Sequence, residues 1–227
     1  MDPKISIVIP TYNEASVLKN TLRNVRQHCP HEIIVVDGGS LDQTVSIAKA
    51  EGIGVIHSPK GKFIQMNSGA EKATGDVLWF LHADSMVKIE GYQSMQNIMK
   101  RNGYVGGAFA LRIDSRKKSF SFISRVANWR SKALGFAYGD QGIFVRSDLF
   151  RKMGGFSALP ICEDLDFFRR MRKEGVVTIL DEEAEVSPRR WLAEGMIYVT
   201  LRNILIAGLF LIGFSPRLLS RWYKVIR

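Results

Sequence analysis

Over its first 85 residues the chain repeats one pattern: a short apolar run, a polar corner, then a helical stripe. "ISIVI" (5–9), "EIIVVD" (32–37), "IGVIH" (53–57) and "DVLWFL" (76–81) are runs of strand length. Between them, "NEASVLKNTLRNVRQH" places Leu18, Leu22 and Val25 on one helical face. "SLDQTVSIAKAEG" opens with a capping-box pattern, Ser40 and Gln43, and closes at Gly52, while "KFIQMNSGAEKATG" predicts a helix to Gly75. Such alternation implies a mostly parallel sheet with helices on both faces. Ligands of these sheets bind beyond the carboxyl ends of the strands. Three of the strand runs end in polar or acidic corners: Pro10-Thr11-Tyr12-Asn13-Glu14, then Asp37-Gly38-Gly39-Ser40, then His82-Ala83-Asp84. A buried run that ends in charge is costly unless the charge meets a partner. The His82–Asp84 corner is therefore expected to form one wall of a shared crevice.

The remainder is less regular. "YVGGAFALRI" (104–113), "GIFVR" (142–146) and "VVTIL" (176–180) read as strands, "SDLFRKMGGF" as a short helix ended by glycines. "EDLDFFRRMRKEG" begins with acids and ends with bases, as a helix dipole favours. A soft boundary is expected near Pro188, dividing 1–188 from a helical tail, 189–227.

The formal net charge is +10, and the tail from Arg189 to Arg227 carries seven Lys/Arg against Glu194. A second basic cluster runs from Arg112 to Lys132. Basic surfaces attract anionic lipid, nucleic acid or phosphorylated small molecules. Ile204–Phe214 is apolar but short of the about 20 residues a spanning helix needs. Basic and aromatic residues come after it, among them Trp222, Tyr223, Lys224 and Arg227, which suits a monotopic anchor on an anionic bilayer; the other reading is a helix hairpin packed on residues 1–188 or on a second copy. Phe120, Phe122 and Trp129 are candidate lipid contacts. Two cysteines, Cys29 and Cys162, and a start without a signal-peptide pattern lead to the expectation of a cytoplasmic protein with free thiols, peripheral on the inner face of a membrane.

"SIVIPTYNE", "IIVVDGGSLDQT", "GDVLWFLHADS" and "CEDLDFFRRM" resemble, in order, the landmarks of family 2 glycosyltransferases. The resemblance covers about residues 4–191. It implies the A-type (GT-A, Rossmann-like) fold, a donor half at about 1–85 and an acceptor half at about 86–188, and transfer of a sugar, with inversion, from a nucleoside-diphosphate sugar to a hydroxyl acceptor; if the tail is a membrane anchor, a lipid-linked acceptor follows. It places Asp84 in the second position of the Asp-x-Asp metal motif, with His82 in place of the first acid. The implied cofactor is Mn2+ or Mg2+; an imidazole ligand from His82 shifts the preference to manganese. The resemblance further implies that Asp37 recognises a uracil-like base and that Pro10, Thr11, Tyr12, Glu14, Gly38 and Gly39 shape the nucleoside pocket. Lys62 or Lys60 supplies charge where relatives carry an arginine, here Met66. Asp164 of the Glu163–Asp164 pair is the implied general base. Asp140 and Gln141 lie on the acceptor side, and Arg190 and Trp191 match part of a Gln-x-x-Arg-Trp motif in which Ser187 replaces the glutamine.

Read without the resemblance, Asp84 is a solvated strand end and Glu163, Asp164 and Asp166 are first-turn acids of a helix. Two rivals remain at this point: a sugar nucleotidyltransferase, which favours a Gly-rich phosphate loop where this chain has "PTYNE", and a non-catalytic basic protein that binds membrane or RNA. Nucleic acid is not the expected partner, and an oligomer is left open.

Overall fold

A computed structural model describes residues 2–223 of the 227-residue chain; Lys224 and Arg227 lie outside the described residues. The alternating half consists of β1 (Ile5–Thr11), α1 (Ala15–Arg26), β2 (Glu32–Asp37), α2 (Thr44–Ala50), β3 (Val55–His57), α3 (Lys62–Lys72) and β4 (Val77–Phe80). Then come β5 (Ser85–Val87), α4 (Ile89–Met99), β6 (Tyr104–Ile113), α5 (Lys118–Leu134), β7 (Phe144–Arg146), α6 (Ser147–Lys152), α7 (Glu163–Glu174) and β8 (Val176–Val186). The tail folds as α8 (Arg189–Glu194), α9 (Met196–Leu211) and α10 (Pro216–Leu219).

The strands form one eight-stranded sheet in the order β3-β2-β1-β4-β7-β6-β8-β5. The first four are parallel, as the alternation requires, and β7 enters antiparallel between β4 and β6. Pleating sends alternate side chains to opposite faces. Val8, Val36, Leu78 and Phe80 pack with α3, α6 and α7, while Ile7, Ile9, Val35 and Trp79 pack with α1, α2 and α4. Both faces are covered, and the sheet register aligns Thr11 with Asp37 and Asp37 with His57 at one edge.

Several boundaries differ from the sequence reading for physical reasons. Ser40 does not cap α2; its hydroxyl bonds the Asp37 carboxylate and accepts the Asn13 N–H, while the Asp42 carboxylate accepts the Thr44 N–H. Helix α3 stops at Lys72, because Ala73 turns extended and Gly75 passes against Ser6 of β1. The basic segment is mostly the helix α5, ended by Gly135 at φ 63°. Strand β5 has three residues, too few to show alternation, and with α4 it carries the chain from β4 to the far edge of the sheet.

The tail lies on the sheet's helical layer with one face only. Val199, Arg202, Ile206 and Ala207 of α9 are buried, and Arg202 pairs with Glu194. The opposite face exposes Ile197, Tyr198, Leu201, Ile204 and Leu205. No helix among the described residues is long and apolar enough to cross a membrane.

Close approach of α3 to the sheet rests on Gly69, where a Cβ would stand 2.4 Å from Val8 Cγ1 and 2.9 Å from Val36 Cγ2. Alanine improves helix propensity by about 1 kcal/mol but overpacks a core at a cost of about 1–3 kcal/mol. Gly69→Ala is therefore expected to lower stability by about 1–2 kcal/mol, read as a lower urea midpoint; an unchanged or higher midpoint would show that α3 is free to shift.

Candidate active site

The carboxyl ends of β1 and β4, the start of α3, the start of α7 and the tail enclose one cavity of about 520 Å³. Pro10 and Glu14 come from the β1 end, Lys60 and Lys62 from the approach to α3, and His82 and Asp84 from the β4 end. Tyr138 and Asp140 come from the short turn before β7, Glu163 and Asp164 from α7, and Arg189, Arg190, Trp191 and Asn203 from the tail.

The His82–Asp84 corner is held from behind by α1: Thr21 Oγ1 donates to the Ala83 carbonyl at 2.6 Å. Across the cavity, Cys162 adopts φ 62° and swings the chain into α7, so that Glu163 and Asp164 open the helix facing the β4 end. Gly139 passes between the two sides. A Cβ there would lie 3.1 Å from His82 Nε2 and 3.2 Å from Asp164 Oδ2. The Gly139 N–H donates to Asp164 Oδ2 at 2.6 Å and the Leu165 N–H to Asp164 Oδ1 at 2.7 Å, which fixes that carboxylate's orientation. Lys62 Nζ lies 3.5 Å from His82 Nε2.

Charge is concentrated here. Burial, then the neighbouring Asp164, pushes the Glu163 carboxyl up to about 7; the same two causes push Asp140 up to about 6. Lys62 opposes both shifts. Burial first, with Asp164 and Glu163 beside it, raises the Cys162 thiol to about 12, so it is a core thiol and not a nucleophile. Four buried polar atoms of cavity residues have no hydrogen-bond partner among the described residues: Tyr138 Oη, Asp140 Oδ1, Trp191 Nε1 and Asn203 Oδ1. Buried polar atoms without a protein partner are ordinarily met by water, an ion or a ligand.

Other candidates stand at the rim or behind it. Thr11 and Asp37 are buried behind the cavity wall. Asp37 accepts the Gly39 and Ser40 N–H groups, both at 2.9 Å, and the Ser40 hydroxyl, so the Gly38–Gly39 turn is organised by it. Tyr12 is half-buried with Lys60 Nζ 4.0 Å above its ring. Gln141 is fully buried: it donates to the Phe109 carbonyl and accepts from Ser131 and from the Tyr138 N–H, a brace for the Asp140 turn. Arg190 bonds the Tyr223 hydroxyl, and its guanidinium lies 4.7 Å from that ring. Trp191 meets Phe120 edge-on; Phe120 itself is buried, so only Phe122 and Trp129 of the three aromatics expected to touch lipid are exposed.

A divalent cation that bridges a diphosphate needs only one or two carboxylates, the rest of its shell coming from phosphate and water. Asp84 in a polar cavity fits that requirement. Among the described residues no group of three or more His, Cys, Asp or Glu side chains forms a closed metal cage.

Three side chains at the cavity carry no mark in the sequence: Tyr138, Asn203 and above all Arg189. Arg189 Nη2 lies 2.6 Å from Glu14 Oε2 and 3.2 Å from Asp84 Oδ2. The local signal for this contact is an acid at a strand end, and that names no partner.

A model of the family described as glycosyl transferase family 2 matches residues 6–154. The chain belongs to glycosyl transferase family 2. The family match takes in the β1, β2 and β4 ends and stops before Glu163. Among curated relatives, a PGL/p-HBAD biosynthesis glycosyltransferase of Mycobacterium bovis is 44% identical over 91 residues, covering 36% of each chain. Probable glycosyltransferase YdaM of Bacillus subtilis is 27% identical over 201 residues, 76% of this chain and 47% of the relative. The chain thus spans between about a third and a half of the length of these relatives. Among solved structures, mannosyltransferase PcManGT from Pyrobaculum calidifontis, in complex with GDP-Man and Mn2+, superposes with a TM-score of 0.72 at 16% identity over 96% of this chain and 67% of that one. S. aureus TarS in complex with UDP-GlcNAc gives 0.62 at 16% identity over 81% and 58%. The fold shared within the family is GT-A, the α/β class that the strand–helix alternation led to.

The raised carboxyls make a pH prediction. Asp140 holds its proton more tightly when folded (about 6) than at its ordinary value of 3.8. Its ionisation therefore costs stability progressively as pH rises from about 4 to 6, and the cost persists above. Asp140→Asn is expected to stabilise the protein, with a gain larger at pH 8 than at pH 5 by about 1 kcal/mol. Urea unfolding at the two pH values checks it; a gain that is equal or larger at pH 5 contradicts it.

Proposed function

We propose that this chain performs inverting transfer of a sugar from a nucleoside-diphosphate sugar to a hydroxyl acceptor. The observation that carries this reading is the polar cavity lined by Asp84 at the end of β4 and Asp164 at the start of α7, with Lys62, Arg189 and Arg190 around them. Its volume falls within the range of about 300–1,000 Å³ usual for small-molecule sites. The neighbours' complexes with GDP-Man and UDP-GlcNAc support a nucleotide sugar as donor.

In this reading the base and ribose lie toward Pro10, Thr11, Tyr12 and Glu14, and toward the Asp37-Gly38-Gly39 turn. Asp37 stands behind the wall, so its acceptance of a base N–H would require the Ser40 hydroxyl to leave Oδ1 and the Gly38–Gly39 turn to open. The diphosphate lies toward Lys62, His82, Asp84 and Arg190. Asp84, with His82 as a second ligand or a partner of the ribose or phosphate, would hold Mn2+ or Mg2+, and the cation would stabilise the charge of the leaving diphosphate. Lys62 and Arg190 add fixed positive charge at the same place. Asp140, Glu163 and Trp191 face the sugar and acceptor, and Gln141 acts through the Asp140 turn.

Asp164 takes the proton of the acceptor hydroxyl as that oxygen attacks the anomeric carbon. The base stands on the face opposite the leaving group, so configuration inverts. General-base assistance contributes roughly 10²–10⁴-fold, and alignment of the two reactants adds to it. The test is a binding panel of UDP, GDP, dTDP and CDP with Mn2+ or Mg2+, read by thermal shift, followed by hydrolysis of the matching nucleotide sugar. Asp84→Ala is expected to lose the metal-dependent part of the shift. Asp164→Asn is expected to keep nucleotide binding and lose roughly 10²–10⁴-fold in turnover; loss of both together would make Asp164 structural.

The tail, 189–227, is proposed to rest on an anionic bilayer at its cytoplasmic face, which brings a lipid-linked hydroxyl within reach of the cavity. Exposed Ile197, Leu201 and Leu205 of α9 and Phe122 and Trp129 of α5 support this, as do Arg217 and Arg221. Phe120 of α5, Trp191 of α8 and Met196 of α9 share one apolar cluster, which joins α5 to the tail. Sedimentation with vesicles should show binding to phosphatidylglycerol-containing membranes that weakens with salt. Leu201→Asp combined with Leu205→Asp should abolish it. A protein indifferent to such vesicles at low salt contradicts the surface.

A further inference from the structure

Arg189 belongs to the tail and lies outside the residues matched by the family model. Its Nη2 nevertheless reaches the ends of two central strands, 2.6 Å from Glu14 Oε2 and 3.2 Å from Asp84 Oδ2. The three side chains are largely withdrawn from water, at 29%, 10% and 19% exposure. Charge-assisted contacts of this kind are stronger than those at the open surface.

The geometry creates a competition. Arg189 stands against Oδ2, one of the two Asp84 oxygens, so a divalent cation on this carboxylate would lie close to the guanidinium, and the two positive charges repel each other. A cation arriving alone must break the Arg189 contact and leave that arginine between a metal and Glu14. A cation arriving with a diphosphate brings anionic oxygens to which Arg189 can turn as it leaves Asp84. The guanidinium fork suits phosphate as well as carboxylate. The side chains of the exchange all line the same cavity.

We infer that Arg189 is a diphosphate-binding residue that, before the donor arrives, stands in for the cation on Asp84 while Glu14 holds it in place. Its exchange from carboxylate to phosphate makes donor and metal bind together and disfavours metal alone. This rests on the reading of Asp84 as the cation's ligand.

The test compares the full chain with Arg189→Met and Arg189→Lys, each checked for folding by circular dichroism. Free Mn2+ is titrated by its electron paramagnetic resonance signal without nucleotide. Nucleoside diphosphate binding is measured by calorimetry with and without Mn2+. The intact chain should bind Mn2+ alone weakly and gain about tenfold or more in nucleotide affinity when Mn2+ is present, within the usual span of coupling between sites. Arg189→Met should bind Mn2+ alone several-fold more tightly, bind nucleotide with Mn2+ less tightly, and so lose most of the coupling. Arg189→Lys, which keeps the charge, should fall between. Mn2+ affinity unchanged or weaker in a folded Arg189→Met protein overturns the exchange. If the intact chain binds none of the nucleotides, the donor reading fails; the Mn2+ titration still reports on the Arg189–Asp84 competition by itself.

Discussion

A carboxylate at the end of a buried strand is stable only when hydrogen-bond donors or a positive charge answer it, and this requirement shapes the cavity. Asp84 ends an apolar run on the central strand β4, and Glu14 stands just beyond β1. Their common answer is Arg189, from a segment more than a hundred residues later in the chain. Lys62, from the start of α3, only partly offsets the burial and the Asp164 charge that raise Glu163 and Asp140. Removing one partner of such a pair leaves a poorly solvated charge, which costs far more than the pair contributes. The cavity walls are therefore tied together electrostatically as well as by the core.

The tail has two distinct faces for the same reason. One face of α9 supplies Ile206 and Ala207 to the core and presents Asn203 to the cavity, and its one arginine, Arg202, is buried against Glu194. The other face is apolar and exposed. A tail that reaches the strand ends through Arg189 turns one face to the cavity and another, with Leu201 and Leu205, to the outside. Sequence hydropathy alone does not separate these faces, because apolar residues occupy both.

The parts of the fold that were legible from the sequence are those governed by local periodicity. Leu18, Leu22 and Val25 fall on the buried face of α1, and "YVGGAFALRI" is β6 residue for residue. The strand ends were legible because a polar corner after an apolar run is itself a local pattern. Partners distant in sequence were not. Nothing in "SLDQT" says that Ser40 serves Asp37 instead of α2, and nothing in "SPRRW" says that Arg189 meets Glu14. The reading of Asp37 and Thr11 as cavity walls also differs in detail from their position behind it, because a loop's own hydrogen bonds decide which way a carboxylate faces. Gln141, placed by sequence near the ligand, is spent on bracing its turn.

The claim on which the account depends is that the ends of β1 and β4, the start of α7 and the tail enclose one site for a nucleoside diphosphate and its cation. A crystal structure of the chain with Mn2+ and its preferred nucleoside diphosphate, with data collected at the manganese edge, tests this most directly. The account predicts one anomalous peak in the cavity, within bonding distance of an Asp84 oxygen and of the diphosphate, with Asp164 facing the open end of the phosphate chain. A peak away from Asp84, or a nucleotide bound anywhere other than this cavity, would contradict it.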